Sequence, residues 1–353
     1  MVATILSWVL TYALHSTALI VSVWLVCKLV PRLSLGAQES LWKLALGGAL
    51  LSSTAQLVTG IAPPWGHFGM PSALQTEVDR VPGPPPLASP RVIHHRAGEL
   101  TITTTHEAAP GAPSTPQRSP SQWPWVLLGL VGLGSAFGLA RIGVAAWRLR
   151  KQLATRRDVI EDPLLETWLA LCNKAELPKR VRLSCSTALP SPVALVRREV
   201  CIPERAIEGL SPRQQESMLA HELAHVLRRD PAWLVASAVI EAVFFFQPLH
   251  HLVRRRIEEL AEYQCDDWAA RHSGTGVHLA KCLAEVASWV EHQPSVPLVA
   301  NMASSRSPII RRITRLLDER RRKVAELAPA WRLGGAVCLL VAIAWLAPGV
   351  AAT

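Results

Sequence analysis

The chain has 353 residues, half of them hydrophobic and only 18% charged, with a formal charge of +10. Its mean hydropathy is positive, a balance that disfavours a cytosolic enzyme and leaves room for membrane spans beside one folded domain. Seven scattered cysteines with no CxxC pair argue against a disulfide framework and against a thiolate zinc site.

In chain order, the first expected element is a span over Ile5–Val26. It is long enough for a hydrocarbon core of roughly 30 Å at about 1.5 Å per residue. It lacks a basic start and a cleavage pattern, so it reads as a retained anchor. A second span is expected over Leu44–Ala62, although Ser52, Ser53, Thr54 and Gln56 would need partners there. Residues 1–62 thus form a hairpin. Residues 63–122, which include "PGPPPLASP" and "APGAPSTPQRSP", are too poor in large apolar residues to fold and read as a disordered external loop.

A third span is expected over Trp123–Trp147 (segment 123–148) and a fourth over Trp331–Val350 (segment 331–353), with Trp123, Trp125, Trp147 and Trp331 at the interfaces. Lys28, Arg32 and Lys43, then Arg148, Arg150, Lys151, Arg156 and Arg157, then Arg320 to Lys323 all fall on one side of such a layout. The positive-inside tendency makes that side cytoplasmic and both termini external, as in a bacterial-type inner membrane. The excess charge is thereby assigned to the membrane surface and not to nucleic acid, with the arginine runs facing anionic lipid. His15, inside span one, reads as a neutral imidazole bonded to another span.

Residues 149–330 carry the globular pattern. Val181–Ser186, Val193–Val196 and Glu199–Pro203 read as strands, the last two a hairpin across Arg197 and Arg198. Ser211, Pro212 and Gln214 form a capping-box start for a helix that ends near Asp230 and Pro231, where a second helix begins with the same cap-and-proline logic. "WLVASAVIEAVFFF", Trp233–Phe246, is too short to span and reads as a buried or membrane-skimming helix below the first.

The first of these helices contains "SMLAHELAHVLRRD". His221 and His225, four residues apart, lie on one face and can hold one Zn2+ at roughly 2.0–2.1 Å per bond. Zinc acidifies a bound water, and the adjacent Glu222 can take its proton and pass it to a leaving amine. An amphipathic helix can carry HExxH by chance, but the cap, the apolar flanks and a downstream acidic helix agree with the metal reading.

That acidic segment is "RRRIEELAEYQCDDWAA", in which Glu258, Glu262 and Asp266 share one face. Glu262 is expected as the third ligand, with Glu258 in reserve and Glu259 pointing elsewhere. Asp266 is expected to accept the free N–H of a ligand histidine. His250 and His251 are candidate transition-state stabilisers, weighed against an interfacial pair. Roles for Glu241, Arg254 and Tyr263 are weaker alternatives to simple packing.

Together, "SPVALVRREVCIP", "LSPRQQESMLAHELAHVLRRDPAW", "FFFQPLHHLVRRR" and "EYQCDDWAA" resemble the BlaR/MecR-type membrane zinc peptidases, the antirepressor signal transducers, over nearly the whole chain. The resemblance implies a mainly α membrane protein with four transmembrane helices. It places a cytoplasmic α+β gluzincin-like metallopeptidase domain between helices three and four. It also implies His221, His225 and Glu262 as metal ligands, Glu222 as base, and a cytoplasmic DNA-binding repressor or the chain itself as substrate. Sensing members continue into an external penicillin-binding domain, whereas this sequence stops at Thr353, so β-lactam sensing is not implied. A Ste24/HtpX-like processing or quality-control protease, and a noncatalytic zinc-stabilised scaffold, are the alternatives.

Overall fold

The computed structural model describes residues 2–30, 33–60, 64, 66–69, 122–160, 163–177, 180–290, 306–318 and 330–351. The expected external loop and the basic run Arg320 to Lys323 therefore lie almost wholly outside the described residues. The described chain is mostly helical. In order it forms α1 (Val2–Leu29), α2 (Leu35–Thr59), β1 (His67–Gly69), α3 (Trp123–Gln152), β2 (Arg157–Asp158) and α4 (Pro163–Lys174). There follow β3 (Arg182–Ser186), β4 (Val193–Leu195), β5 (Glu199–Pro203), α5 (Arg205–Gly209), α6 (Pro212–Arg228) and α7 (Asp230–Val243). The chain continues with α8 (Leu249–His272), α9 (Gly276–Val290), α10 (Arg306–Leu317), α11 (Ala330–Leu346) and β6 (Gly349–Ala351).

Among the described residues, α1 and α3 are long and apolar enough to cross a membrane. The other two expected spans differ in a physical way. Helix α2 is interrupted by polar residues and begins nine residues earlier than the apolar stretch, with Glu39 buried in its first turns. Helix α11 is 17 residues long, short of the roughly 20 a bilayer needs. The two still pack with α1: Tyr12, Leu19, Ile20, Leu41, Leu46 and Leu340 share one apolar cluster. At one end of that cluster Gln56 donates to the Ala347 carbonyl at 3.1 Å, and the Val350 N–H donates to Thr11 Oγ1 at 3.0 Å. There β1 and β6 pair in parallel, His67 opposite Gly349. His15 bonds Ser52 of α2 at 2.8 Å, the expected arrangement for an imidazole among apolar helices.

Helix α3 runs beside α7 at very short range. A Cβ added at Gly138 would lie 2.9 Å from Ala242 Cβ, and one at Gly134 would strike the Phe245 ring at 2.4 Å. Ser135 Oγ seals the contact on the Val243 carbonyl at 2.7 Å. Small residues here let two helices approach backbone to backbone. Thus the Trp233–Phe246 stretch is helical only as far as Val243, and its close neighbour here is α3.

The globular part is built on a mixed four-stranded sheet in the order β2-β3-β5-β4. Strands β4 and β5 form the expected hairpin, with Val193 opposite Cys201, and Arg198 takes φ +56° at its turn. Against the sheet lies α6, every residue of which from Ser217 to Val226 is buried. Leu219, Leu223, Val200, Ile202, Trp168 and Leu279 form the core around it. The start of α6 is held as anticipated, the Ser211 N–H donating to Gln214 Oε1 at 2.9 Å. Its end is set by Arg229 in the left-handed region (φ +59°), whose N–H closes on the His225 and Val226 carbonyls. That turn sends the chain directly into α7.

Candidate metal centre

The four-residue spacing on α6 brings His221 and His225 onto one face, and α8 supplies Glu262 from the neighbouring helix. His221 Nε2 lies 3.2 Å from His225 Nε2 and 3.4 Å from Glu262 Oε2, while His225 Nε2 lies 3.6 Å from Glu262 Oε1. A tetrahedral shell with bonds of roughly 2.0–2.1 Å spaces neighbouring donors by about 3.3–3.4 Å. The three expected donors thus already sit at the separations a zinc-sized ion requires, and two bare imidazole nitrogens facing each other would otherwise have to share a proton.

Each imidazole is aimed by a carboxylate behind it. Asp266, expected to orient a ligand histidine, has its Oδ1 3.1 Å from His221 Nδ1. Asp230 Oδ2 lies 2.9 Å from His225 Nδ1, which the sequence reading missed. Asp230 was expected to cap α7. The structure corrects this: Arg229 is the cap residue, and Asp230 is the first helical residue with its carboxylate turned back to His225. Burial opposes the charge on Asp230, yet His225 and Arg228 outweigh it and depress its pKa. Cys265 fills the remaining space, its Sγ 3.3 Å from His225 Nδ1.

A second unexpected participant is Arg312 of α10, only 4% exposed. Its Nε and Nη2 grip the two Asp266 oxygens at 2.9 and 2.7 Å, and its Nη1 lies 2.7 Å from Glu262 Oε2. The expectation that the arginine runs face lipid is corrected here, and Arg315 is likewise paired bidentately with Asp267 at 2.7 Å. A signal was present: Ile309, Arg312, Ile313 and Leu316 fall at the spacing of one buried stripe, and a charge there needs a partner inside.

These charges set the protonation states. Burial works against a charged Glu262, but Arg312 and the imidazoles outweigh it and hold the carboxyl at about 2. Asp266 is pushed below the usual carboxylate range for the same reasons, with Arg312 the main counterweight to burial. Burial also disfavours a cationic His221, yet Asp266 and Glu262 overcome it and raise its pKa to about 9. Glu222 behaves oppositely. It is 1% exposed, its Oε2 finds no hydrogen-bond partner among the described residues, and burial outweighs the two histidines to raise its pKa. A carboxyl with a raised pKa and an unsatisfied buried oxygen suits a group that takes up and releases a proton.

The other candidates are drawn into different contacts. Glu258 is held by Arg254 at 2.8 Å, outside the donor triangle, and Glu259 is bonded by Tyr263 at 3.0 Å and Arg256 at 2.8 Å. Glu241 takes Arg254 at 3.2 Å and His251 at 3.1 Å. His250 is buried against α1, its Nε2 3.0 Å from the Tyr12 hydroxyl, and its ring packs on Phe244. The structure therefore does not bring His250 or His251 to the donors. His250 faces α1, whereas His251 is exposed beside Glu241 of α7.

The family model described as "BlaR1 peptidase M56" matches residues 7–316. Among curated proteins, the chain is 35% identical over 80 residues to "Protease HtpX homolog 2" of Methanosarcina mazei, 22% of this chain and 27% of that protein. It is 24% identical over 111 residues to the "Methicillin resistance mecR1 protein" of Staphylococcus aureus, 30% of this chain and 19% of that protein. These alignments span about a quarter or less of the curated relatives' lengths. The family match takes in both apolar helices, the sheet and the whole donor cluster up to α10, and on that extent the chain belongs to the BlaR1 peptidase M56 family, a family of membrane metallopeptidases.

Proposed function

We propose that the chain is a multi-pass inner-membrane zinc endopeptidase that hydrolyses peptide bonds at the cytoplasmic membrane face. We assign it to regulatory signalling by cleavage of a transcriptional repressor, of itself, or of both. The single observation that carries the catalytic part is the donor triangle of His221, His225 and Glu262 at 3.2–3.6 Å, set beside a buried carboxyl at Glu222. In this reading those three hold Zn2+, which when bound supplies Lewis acidity and an acidified water. Glu222 accepts the proton of the attacking water and delivers it to the departing amine. Asp266 and Asp230 fix the tautomers of the two histidines, and burial of α6 excludes bulk water around Glu222. Reading the chain as four spans with external termini rests on the basic residues Lys28, Lys43, Arg148, Arg150 and Lys151. The domain limits proposed from it are 1–62, 123–148 and 331–353 for the membrane part and 149–330 for a gluzincin-like peptidase domain.

A second reading, an HtpX-like processing or quality-control protease, is favoured by the identity of the HtpX match, which exceeds that of the mecR1 match. Reconstitution of wild type and Glu222→Gln in liposomes, with mass spectrometry of cleaved proteins, separates the readings. One or a few cuts by wild type, absent in a metal-replete Glu222→Gln, support the signalling peptidase. Broad digestion supports the HtpX-like reading, and undiminished signalling by Glu222→Gln would leave only a zinc-stabilised scaffold.

A further inference from the structure

The membrane hairpin reaches the metal site through an unbroken line of side chains. Glu39, in the second turn of α2, is 4% exposed. Its Oε2 accepts from Arg228 Nη2 at 2.5 Å and from Gln264 Nε2 at 2.6 Å, and its Oε1 lies 2.5 Å from Lys43 Nζ. Arg228 closes the ring by donating from Nη1 to Gln264 Oε1 at 2.8 Å. Its Nε donates to Asp230 Oδ2 at 3.1 Å, and that same oxygen accepts from His225 Nδ1 at 2.9 Å.

The geometry at Asp230 makes this more than a chain of neighbours. One carboxylate oxygen serves both Arg228 and His225, while the other, Oδ1, is buried without a hydrogen-bond partner among the described residues. Arg228 is shared between two carboxylates, Glu39 from the hairpin and Asp230 from α7. Without Glu39, the guanidinium has Asp230 as its remaining carboxylate. A bidentate pair with both Asp230 oxygens is then the favoured geometry, and forming it turns Oδ2 away from His225. The imidazole would lose the acceptor that fixes its tautomer and raises its basicity.

We infer that Glu39 is a positioning residue for His225, acting through Arg228 and Asp230, so that the docking of α2 on α8 controls how well the site holds its metal. This deepens the metalloprotease reading and rests on His225 being a ligand. The coupling ties the first turns of α2 to a donor residue, with each link at hydrogen-bond distance.

The test uses the full chain in detergent micelles, with zinc affinity measured against a chromogenic chelator and the visible absorption spectrum of the cobalt-loaded protein as the geometric readout. Asp230→Asn is expected to weaken zinc binding by about 10–100-fold, and Glu39→Gln by about fivefold. Glu39→Gln is expected to shift the cobalt spectrum as well. In the Asp230→Asn background the Glu39→Gln effect should shrink below about twofold, because its route has been cut. Glu39→Asp, which keeps the charge, should restore part of the affinity and serves if the Gln variant fails to fold. Ser211→Ala, which weakens α6 at its far end, controls for general destabilisation and should leave the cobalt spectrum unchanged. Zinc affinity of Glu39→Gln within about twofold of wild type, with an unchanged spectrum, overturns the inference, as does a Glu39 effect undiminished in Asp230→Asn. Absence of stoichiometric metal from wild type overturns the metal site itself, and this inference with it.

Discussion

Replacing Arg312 by methionine should have opposite effects on the metal-free protein and on its affinity for zinc. The guanidinium neutralises two buried carboxylates, Asp266 through two bonds of 2.7 and 2.9 Å and Glu262 through one contact of 2.7 Å. At an effective dielectric near 20, each charge pair about 4 Å apart is worth about 4 kcal/mol before relaxation. Removing one partner of a buried pair is observed to cost about 3–5 kcal/mol. The metal-free variant should therefore lose about 4 kcal/mol, a fall of roughly 8–16 °C in melting temperature for a domain of this size. Zinc supplies positive charge at Glu262, so the loaded variant leaves one carboxylate, Asp266, uncompensated where the metal-free form leaves two, and should lose about half as much, about 2 kcal/mol. By linkage the difference of about 2 kcal/mol reappears as binding roughly 30-fold tighter than wild type. Melting curves in detergent with and without zinc, combined with chelator competition, measure both quantities. Equal losses in the two forms with unchanged affinity would refute the reasoning and make Arg312 a packing residue.

The raised pKa of His221, about 9 in the metal-free site, means that zinc must displace a proton there. Apparent affinity should climb about tenfold per pH unit from pH 6 toward 9 and then level off, and a flat profile between pH 6 and 8 would count against it. The same shift fixes a sign for the metal-free protein. Stability drawn from His221 is full below its unfolded pKa near 6.5 and is lost as pH rises through about 9, which melting at pH 6, 7.5 and 9.5 can follow. Asp266→Asn should lower zinc affinity by about 10–100-fold, measured with the same chelator. Gly138→Val should force α3 and α7 apart at a cost of about 1–3 kcal/mol, whereas Gly132→Val, where an added Cβ meets nothing within 4 Å, should leave the melting temperature unchanged.

What the sequence made legible is what short-range rules govern. The cap at Ser211, the four-residue period of His221 and His225, and the same period from Glu262 to Asp266 are local geometry, and all four side chains meet as that geometry requires. The hairpin of β4 and β5 is local in the same sense. The rest depended on contacts distant in sequence. Arg312 is 46 residues from Asp266, and although its place in the stripe of Ile309, Ile313 and Leu316 marks it as inward-facing, nothing near it in sequence names its partner. Asp230 looked like a cap because Asp-Pro so often opens a helix; the left-handed turn at Arg229 gave its carboxylate a different partner. The alternatives for His250 could not be separated from sequence, because nearness to the acidic helix does not say which side of it a residue faces; α8 presents its first turn to α1. The docking of Glu39 was hidden for the same reason, since its partner Arg228 lies 189 residues away.

Cys265 carries one more consequence. It is fully buried behind His225, and burial followed by the nearby Asp230 carboxylate lifts its pKa far above the ordinary thiol value. Held as the neutral thiol, it offers no competing anionic sulfur and is shielded from alkylating reagents while α6 and α8 remain together. Its reactivity should switch on only when those helices part, which makes the unmodified protein its own clock for the opening of the metal site.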